Sequence, residues 1–350
     1  IEMAKLEPDA LIVAAPGVVK LCRELAPNIP IHLSTQANVM NYLDAQVYYD
    51  MGVRRIIAAR EISLKDVQEI KKQLPDMEIE IFVHGSMCFA YSGRCLVSAV
   101  QMGRVPNRGS CANDCRFEYT LYAANEDHST LFRLEEEPGI GTYIFNAKDM
   151  NLASHLDEIL ESGAVDSVKI EGRTKSPYYA AVTAYAYRAA IDDFYANKFE
   201  ANKYQEELNT TKNRGFTDAY LIHRPFEKND TQNHEYALSK GSYEVSGLVT
   251  SDEEHFLCKY KTYPNEETEI FAPLNSEITE VENEIGKIYK KEDGKFYISF
   301  KKILTETGKE LESVHSGNTN KIQLPGKLPY LTMLRVLNED ESCETGGCSN

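Results

Sequence analysis

Several things that would declare a function at once are missing. The chain contains neither His-Glu-x-x-His nor Gly-x-Ser-x-Gly, so it offers no zinc-protease helix and no nucleophile elbow. No stretch approaches the roughly eighteen consecutive apolar residues of a membrane helix. The opening residues carry Glu2, Glu7 and Asp9 where a secretory signal would be basic and then apolar. A soluble, cytoplasmic chain without a membrane partner is expected. Basic charge is in short supply, since 38 Lys and Arg face 54 Asp and Glu for a net charge of −16. That sign excludes nucleic-acid binding through the whole surface and requires a local basic patch for any polyanion. Eight cysteines in 350 residues are too few for a disulfide scaffold. No repeat of fixed period is visible. An apolar fraction of 42% with 26% charged residues excludes collagen-like, coiled-coil and disordered classes.

What is present reads as two domains. The first half alternates β-branched runs with amphipathic stretches, the order that makes parallel sheet with helices outside it. Strands are predicted over 10–14, 31–34, 55–59, 78–84, 142–146 and 165–171, and helices over 16–25, 39–51, 63–74, 147–163 and 177–196. Ser63 and Asp149 signal helix starts, and the tyrosines from Tyr178 to Tyr187 lie on a helix as packing. About six βα steps fall two short of an eight-fold barrel. The expected fold is therefore a TIM-barrel-like domain over 1–231 whose N-terminal part is missing from this chain, with an open doubly wound sheet as the alternative. After Tyr204 a polar stretch leads into short strands at about 243–250, 256–262, 268–272, 287–289, 295–301 and 321–324. These predict a small all-β domain over 232–338, followed by an acidic tail over 339–350 in which Cys343 and Cys348 are bystanders.

Half of the cysteines fall in one segment, spaced Cys88-x6-Cys95-x15-Cys111-x3-Cys115. Tyr91-Ser92-Gly93, Pro106-Asn107 and Gly109-Ser110 give it the turns that let four sulfurs converge. Such a set suits tetrahedral zinc or an iron–sulfur cubane. The x6 gap departs from the paired spacing of structural zinc sites, which favours the cluster and keeps zinc as the alternative.

The run from Glu80 to Cys88, Glu-Ile-Phe-Val-His-Gly-Ser-Met-Cys, continues into Ser92-Gly93-Arg94-Cys95-Leu96-Val97-Ser98 and closely resembles the signature of the collagenase-like peptidase family U32. The likeness extends to Ser34–Asn38, Ala59-Arg60-Glu61, Asn146–Asp149 and Lys169–Arg173, about 1 to 225 in all. The resemblance implies a barrel-like α/β domain and residues preceding Ile1. From the family's RNA-modifying bacterial members it implies a four-iron four-sulfur cluster, with Cys88, Cys95, Cys111 and Cys115 as ligands. Cys-x3-Cys at the last two ligands and the β-rich C-terminal domain are similar to the subgroup that hydroxylates the wobble uridine of tRNA, a reaction linked to prephenate. tRNA, a small dicarboxylate such as prephenate and an electron donor that no motif identifies are the implied partners.

Residue by residue, His84 and Ser86 stand at a strand end, where an α/β barrel places functional groups, and are expected to act in catalysis by donating hydrogen bonds toward cluster or substrate, a structural His84 satisfied by a backbone carbonyl being the alternative. Neighbours two apart on a strand seldom align for proton transfer, so Ser86 is a poor nucleophile. Lys169, Glu171 and Arg173 share strand parity and are expected to face one mouth as an anion clamp, a structural salt-bridge set being the alternative. Arg60 and Glu61 form a weaker version. Gln36 and Asn38 supply amides for a base edge or a carboxylate, or cap their loop. Arg94, Arg104, Arg108 and Arg116 against Asp114 make a positive island beside the cysteines, with Tyr91, Phe117 and Tyr119 for stacking. An RNA-modifying hydroxylase is the leading expectation. A peptidase using Cys88 or a zinc-bound water, and a non-enzymatic scaffold stapled by zinc, are the rivals.

Overall fold

A computed structural model describes residues 2–104, 110–116, 122–124, 131–133, 147–173, 175–224, 231, 233 and 241–338. The predicted strand over 142–146, Arg108, Phe117, Tyr119 and the tail lie outside the described residues. The chain packs as two compact units, one of residues 1–175, 190–205 and 213–239, the other of 176–189, 206–212 and 240–350.

In the first unit, β1 (Leu11–Val13), β2 (Ile31–Leu33), β3 (Arg55–Ile57) and β4 (Glu78–Ser86) pair in parallel, in sequence order. They alternate with α1 (Pro16–Leu25), α2 (Tyr42–Asp50) and α3 (Leu64–Gln73). The start of α3 follows from its sequence: Ser63 Oγ accepts the Asp66 amide while the Asp66 carboxylate accepts the Ser63 amide, a reciprocal cap. Beyond β4 come α4 (Val97–Met102), a hairpin of β5 (Tyr122–Ala124) and β6 (Leu131–Arg133), β7 (Asp149–Asn151), α5 (Leu156–Glu161), β8 (Ser167–Ile170) and β9 (Phe216–Thr217).

The nine-residue β4 is the spine of the sheet. One edge takes β3; the other is shared between β8, parallel over Glu80–His84, and β7, antiparallel over His84–Ser86. The register shifts between Phe82 and His84, where one neighbour gives way to the other. Ile79, Ile81 and Val83 are buried on one face, while the alternate positions Glu80 and Phe82 meet Lys169 and Arg60 on the other. The sheet runs from β1 to β9, and no pairing among the described residues closes it into a barrel.

Two expectations need correction. The helix predicted over 147–163 begins only at Leu156, after a 3₁₀ turn over Ala153–His155; Asp149 belongs to β7 rather than to a helix cap. Its carboxylate is buried against the Arg214 guanidinium, and Asn151 Oδ1 accepts the Ala153 amide at 3.0 Å, which turns the chain out of the strand. The short helices at 97–102 and 201–209 were also not anticipated from periodicity.

The second unit contains α6 (Pro177–Tyr195) through residue 189 and part of α7 (Ala201–Asn209). Its all-β portion comprises β10 (Tyr243–Val249), β11 (His255–Cys258), β12 (Glu267–Phe271), β13 (Val281–Glu282), β14 (Gly286–Lys290), β15 (Phe296–Phe300), β16 (Ile303–Leu304), β17 (Glu310–Leu311), β18 (Ile322–Gln323) and β19 (Met333–Leu337). Eight of these form one antiparallel sheet ordered β13-β14-β15-β12-β19-β10-β11-β18. Phe256, Ile288, Ile298, Phe300 and Leu334 fill its core. The unforeseen β19 sits mid-sheet between β12 and β10 although it carries Arg335, a buried cation. Arg335 bonds to Glu207 and Glu269 and donates to the Tyr178 hydroxyl at 2.8 Å. Removing one partner of such a set strands the others in a dry interior. Arg335→Ala is therefore expected to lower unfolding free energy by about 3–5 kcal/mol, read as a lower denaturant midpoint. A change below about 1 kcal/mol, the worth of a surface pair, would contradict this account.

Candidate functional site

The loops after β2, β3, β4 and β8 meet around a cavity of about 220 Å³. Cys88, Cys95, Cys111 and Cys115 all line it, together with Gln36, Arg60, Ser86, Glu171 and Arg173. Residues spread over nearly 140 positions are thus brought to one wall because β2, β3, β4 and β8 run parallel, which puts their C-terminal ends on the same side.

Two glycines let the loops approach. Gly85 has φ +125°, and a Cβ there would stand 2.5 Å from the Glu171 carbonyl oxygen. Gly93 has φ +78°, and its Cβ would stand 2.6 Å from the carbonyl oxygen of Gln36. Only glycine accepts both the backbone conformation and the contact. The cysteine loop is further tied to the turn after β3: Ser92 donates its amide to the buried Glu61 carboxylate at 2.9 Å, and the Arg60 amide donates to Ser92 Oγ at 3.3 Å. Farther along, Ser98 Oγ accepts the Ala112 amide at 3.1 Å, and Cys111 Sγ accepts the Asn113 amide at 3.4 Å. An N–H donor of that kind suits a thiolate. Among the described residues, no three His, Cys, Asp or Glu side chains are gathered within reach of a single ion. The four sulfurs share a wall without being drawn to one point.

The remaining expected site residues separate. Lys169 does not reach the cavity; its ammonium pairs with Glu80 at 2.8 Å, inside the same face of the sheet. The three-member clamp is split, because β8 ends at Ile170 and the chain after it turns Glu171 and Arg173 toward the cavity. Arg60 lies over the Phe82 ring at 3.9 Å, which fixes its guanidinium beside the site. Glu61 acts as the tether of the cysteine loop rather than as a lining group. Asn38 adopts φ 58° as the C-cap of a 3₁₀ turn and does not line the cavity. Arg94 and Arg104 are exposed on the cysteine segment, Arg104 bonded to Ser110 Oγ at 3.2 Å. Around them Phe89, Tyr91, Leu96 and Val100 are all more than half exposed. Phe89 and Asn113 also line the cavity and had no motif to announce them, while Thr35 and Ser98, which line it too, fall within the family-like runs.

His84 is buried with its ring 5.4 Å from that of Phe216 and lies outside the cavity. Burial is the main cause that pulls its pKa down to about 4; Asp149 opposes the shift and Lys175 adds to it. Burial thus favours the neutral imidazole at this position.

The chain belongs to peptidase family U32, whose model matches residues 1–231. It is similar to tRNA hydroxylation protein P of Helicobacter pylori strain J99, 60% identical over 335 residues, covering 96% of this chain and 79% of that protein. It is also similar to tRNA hydroxylation protein P of Escherichia coli K12, 38% identical over 330 residues, covering 81% and 72%. The 23S rRNA 5-hydroxycytidine C2501 synthase of Escherichia coli K12 is 36% identical over 184 residues, covering 53% of this chain and 26% of that protein. No solved structure matches the chain. Among the described residues no helix is long and apolar enough to cross a membrane.

The histidine gives the first unit a pH signature. From pH 6.5 down to about 4 the unfolded chain takes up a proton at His84 and the folded chain does not. Stability present above pH 6.5 therefore falls across that window, by about 3 kcal/mol at full effect. Unfolding free energies at pH 7 and pH 4.5 are expected to differ less in His84→Gln than in the unaltered protein. Equal pH slopes in the two would show that this burial carries no protonation cost.

Proposed function

We propose that this protein is an RNA-modifying hydroxylase acting on the wobble uridine of tRNA, with the cysteine-lined cavity as its active site. The observation that supports this most is the convergence of Cys88, Cys95, Cys111 and Cys115 with Arg60, Arg173 and Gln36 on one wall, in a chain whose relatives are named for tRNA and rRNA hydroxylation. Four cysteine sulfurs around one cavity are the donor set of a four-iron four-sulfur cluster, which these residues would hold once drawn inward. Such a cluster supplies one-electron transfer when bound. Zinc would use the same thiolates but add no electron transfer.

Around it, the protein's own groups have separable tasks. Arg173 and Arg60 offer guanidiniums for a small dicarboxylate such as prephenate or for an RNA phosphate, in charge-assisted hydrogen bonds. The Gln36 amide can donate to and accept from the Watson–Crick edge of a pyrimidine turned out of its stack, and the exposed Tyr91 ring gives that base a platform. Arg94 and Arg104 add positive charge where an otherwise acidic protein meets a polyanion. A peptidase with Ser86 as nucleophile finds less support. Ser86 is on the cavity wall while His84 is buried outside it, so the two do not form a nucleophile–base pair.

Anaerobically purified protein is expected to carry iron and acid-labile sulfide. Either should be lost on replacing any one of Cys88, Cys95, Cys111 or Cys115 by Ala, and kept in Cys22→Ala and Cys258→Ala. Zinc without sulfide, or iron kept in Cys111→Ala, would refute the cluster assignment. Arg173→Ala should abolish the hydroxylated nucleoside with little change in melting temperature, because the side chain is exposed at the cavity rim. A collapse of melting temperature in step with the product would make Arg173 scaffold.

A further inference from the structure

The second unit contains a larger cavity, of about 750 Å³, that the hydroxylation site does not use. Tyr243, Tyr260, Tyr263 and Tyr297 form its walls, with Lys261 and Lys291 beside them. Two of the rings already carry a cation: Lys261 lies 4.6 Å from the centre of the Tyr263 ring and Lys291 4.1 Å from that of Tyr297. Tyr260 and Tyr263 are 47% and 36% exposed, so ring surface is available at the opening. At the floor are Arg335 and Glu269, 1% and 5% exposed. Arg335 Nε and Glu269 Oε2 have no hydrogen-bond partner among the described residues, although both side chains are buried. A polar donor and a polar acceptor thus lie unmatched under an aromatic enclosure, in a lining where Lys261, Lys291 and Arg335 balance Glu266, Glu267 and Glu269.

We infer that this tyrosine cavity holds an unstacked nucleobase of the RNA, at a binding site separate from the one where chemistry occurs. A flat ring with a donor–acceptor edge matches rings above and paired polar groups below. Several aromatic rings with adjoining lysines are the elements of single-stranded nucleic-acid sites, where bases stack and cations attend the backbone. The balanced lining argues against a bare phosphate as occupant, since three carboxylates would repel it. Burial is the main cause that holds the Tyr243 and Tyr297 hydroxyls above the ordinary tyrosine value, helped at Tyr297 by the hydrogen bond to Asp293 and at both by Glu269, so both rings stay neutral. The inference rests on the reading of the protein as an RNA-modifying enzyme, and it adds a second point of contact.

The test compares binding of total tRNA to the full-length protein, to Tyr260→Ala/Tyr263→Ala and to Tyr260→Phe/Tyr263→Phe, alongside ultraviolet cross-linking of tRNA to the unaltered protein with adducts mapped by mass spectrometry. Loss of two stacking rings should weaken binding about ten- to hundred-fold while the Phe variant keeps it, since the ring and not the hydroxyl provides the stacking. Nucleotide adducts should map to Tyr260, Tyr263 or Tyr297, which settles the matter even if the Ala variant folds poorly. Tight tRNA binding that the Ala variant shares, with adducts confined to the cysteine segment, would overturn this inference and leave the hydroxylase reading intact. No tRNA binding by the unaltered protein would overturn both.

Discussion

The end of β4 can lie where it does only because Gly85 has no side chain. The Glu171 amide donates to the His84 carbonyl at 2.9 Å, and the next residue must then pass a carbonyl oxygen at a distance no Cβ tolerates. That contact locks the chain leaving β4 against the chain leaving β8. It faces Ser86 and Cys88 toward Glu171 and Arg173 across one cavity. Gly93 repeats the device against Gln36, so the cysteine segment is held at two backbone contacts before any metal is considered. The cysteine loop built this way is positioned by sterics, which lowers the ordering that binding at the cavity would require.

Charge is arranged to serve that geometry. The buried Asp149–Arg214 pair holds β7, with Lys175 at 3.6 Å from the same carboxylate. Glu80 gathers Lys169 and the Ser167 hydroxyl on the sheet's polar face. These pairs are spent internally and add nothing to attraction of a polyanion. Arginines of the loops stand where a ligand would meet them, Arg60 and Arg173 at the cavity and Arg94 and Arg104 along the cysteine segment. An acidic protein can hold RNA in this way because only local potential within a Debye length matters at the contact.

Much of this was legible in the sequence where a local rule determines the outcome. Alternation of β-branched runs gave the four parallel strands, the Ser63 cap gave the start of α3, and the spacing of Cys88, Cys95, Cys111 and Cys115 pointed to a shared site. What was not legible depends on distant partners. Asp149 looks like a helix cap until Arg214, 65 residues on, buries it in a strand. Lys169 shares parity with Glu171 and Arg173, but Glu80 on the adjoining strand captures it. Strand β19 hid behind Arg335, because an arginine in an apolar run reads as solvent-facing unless Glu207 and Glu269 are known to lie beside it. The tyrosine cavity is illegible for the same reason: its rings come from β10, β15 and the loop after β11, and no local window contains them.

The central claim is that the cysteine-lined cavity performs hydroxylation of tRNA. It is tested most directly by mass spectrometry of nucleosides from total tRNA of a strain lacking this protein, complemented either with the unaltered gene or with one encoding Cys111→Ala. The account predicts that 5-hydroxyuridine derivatives disappear in the deletion, return with the unaltered protein and stay absent with the cysteine variant. Unchanged 5-hydroxyuridine in the deletion, or full restoration by Cys111→Ala, would contradict it.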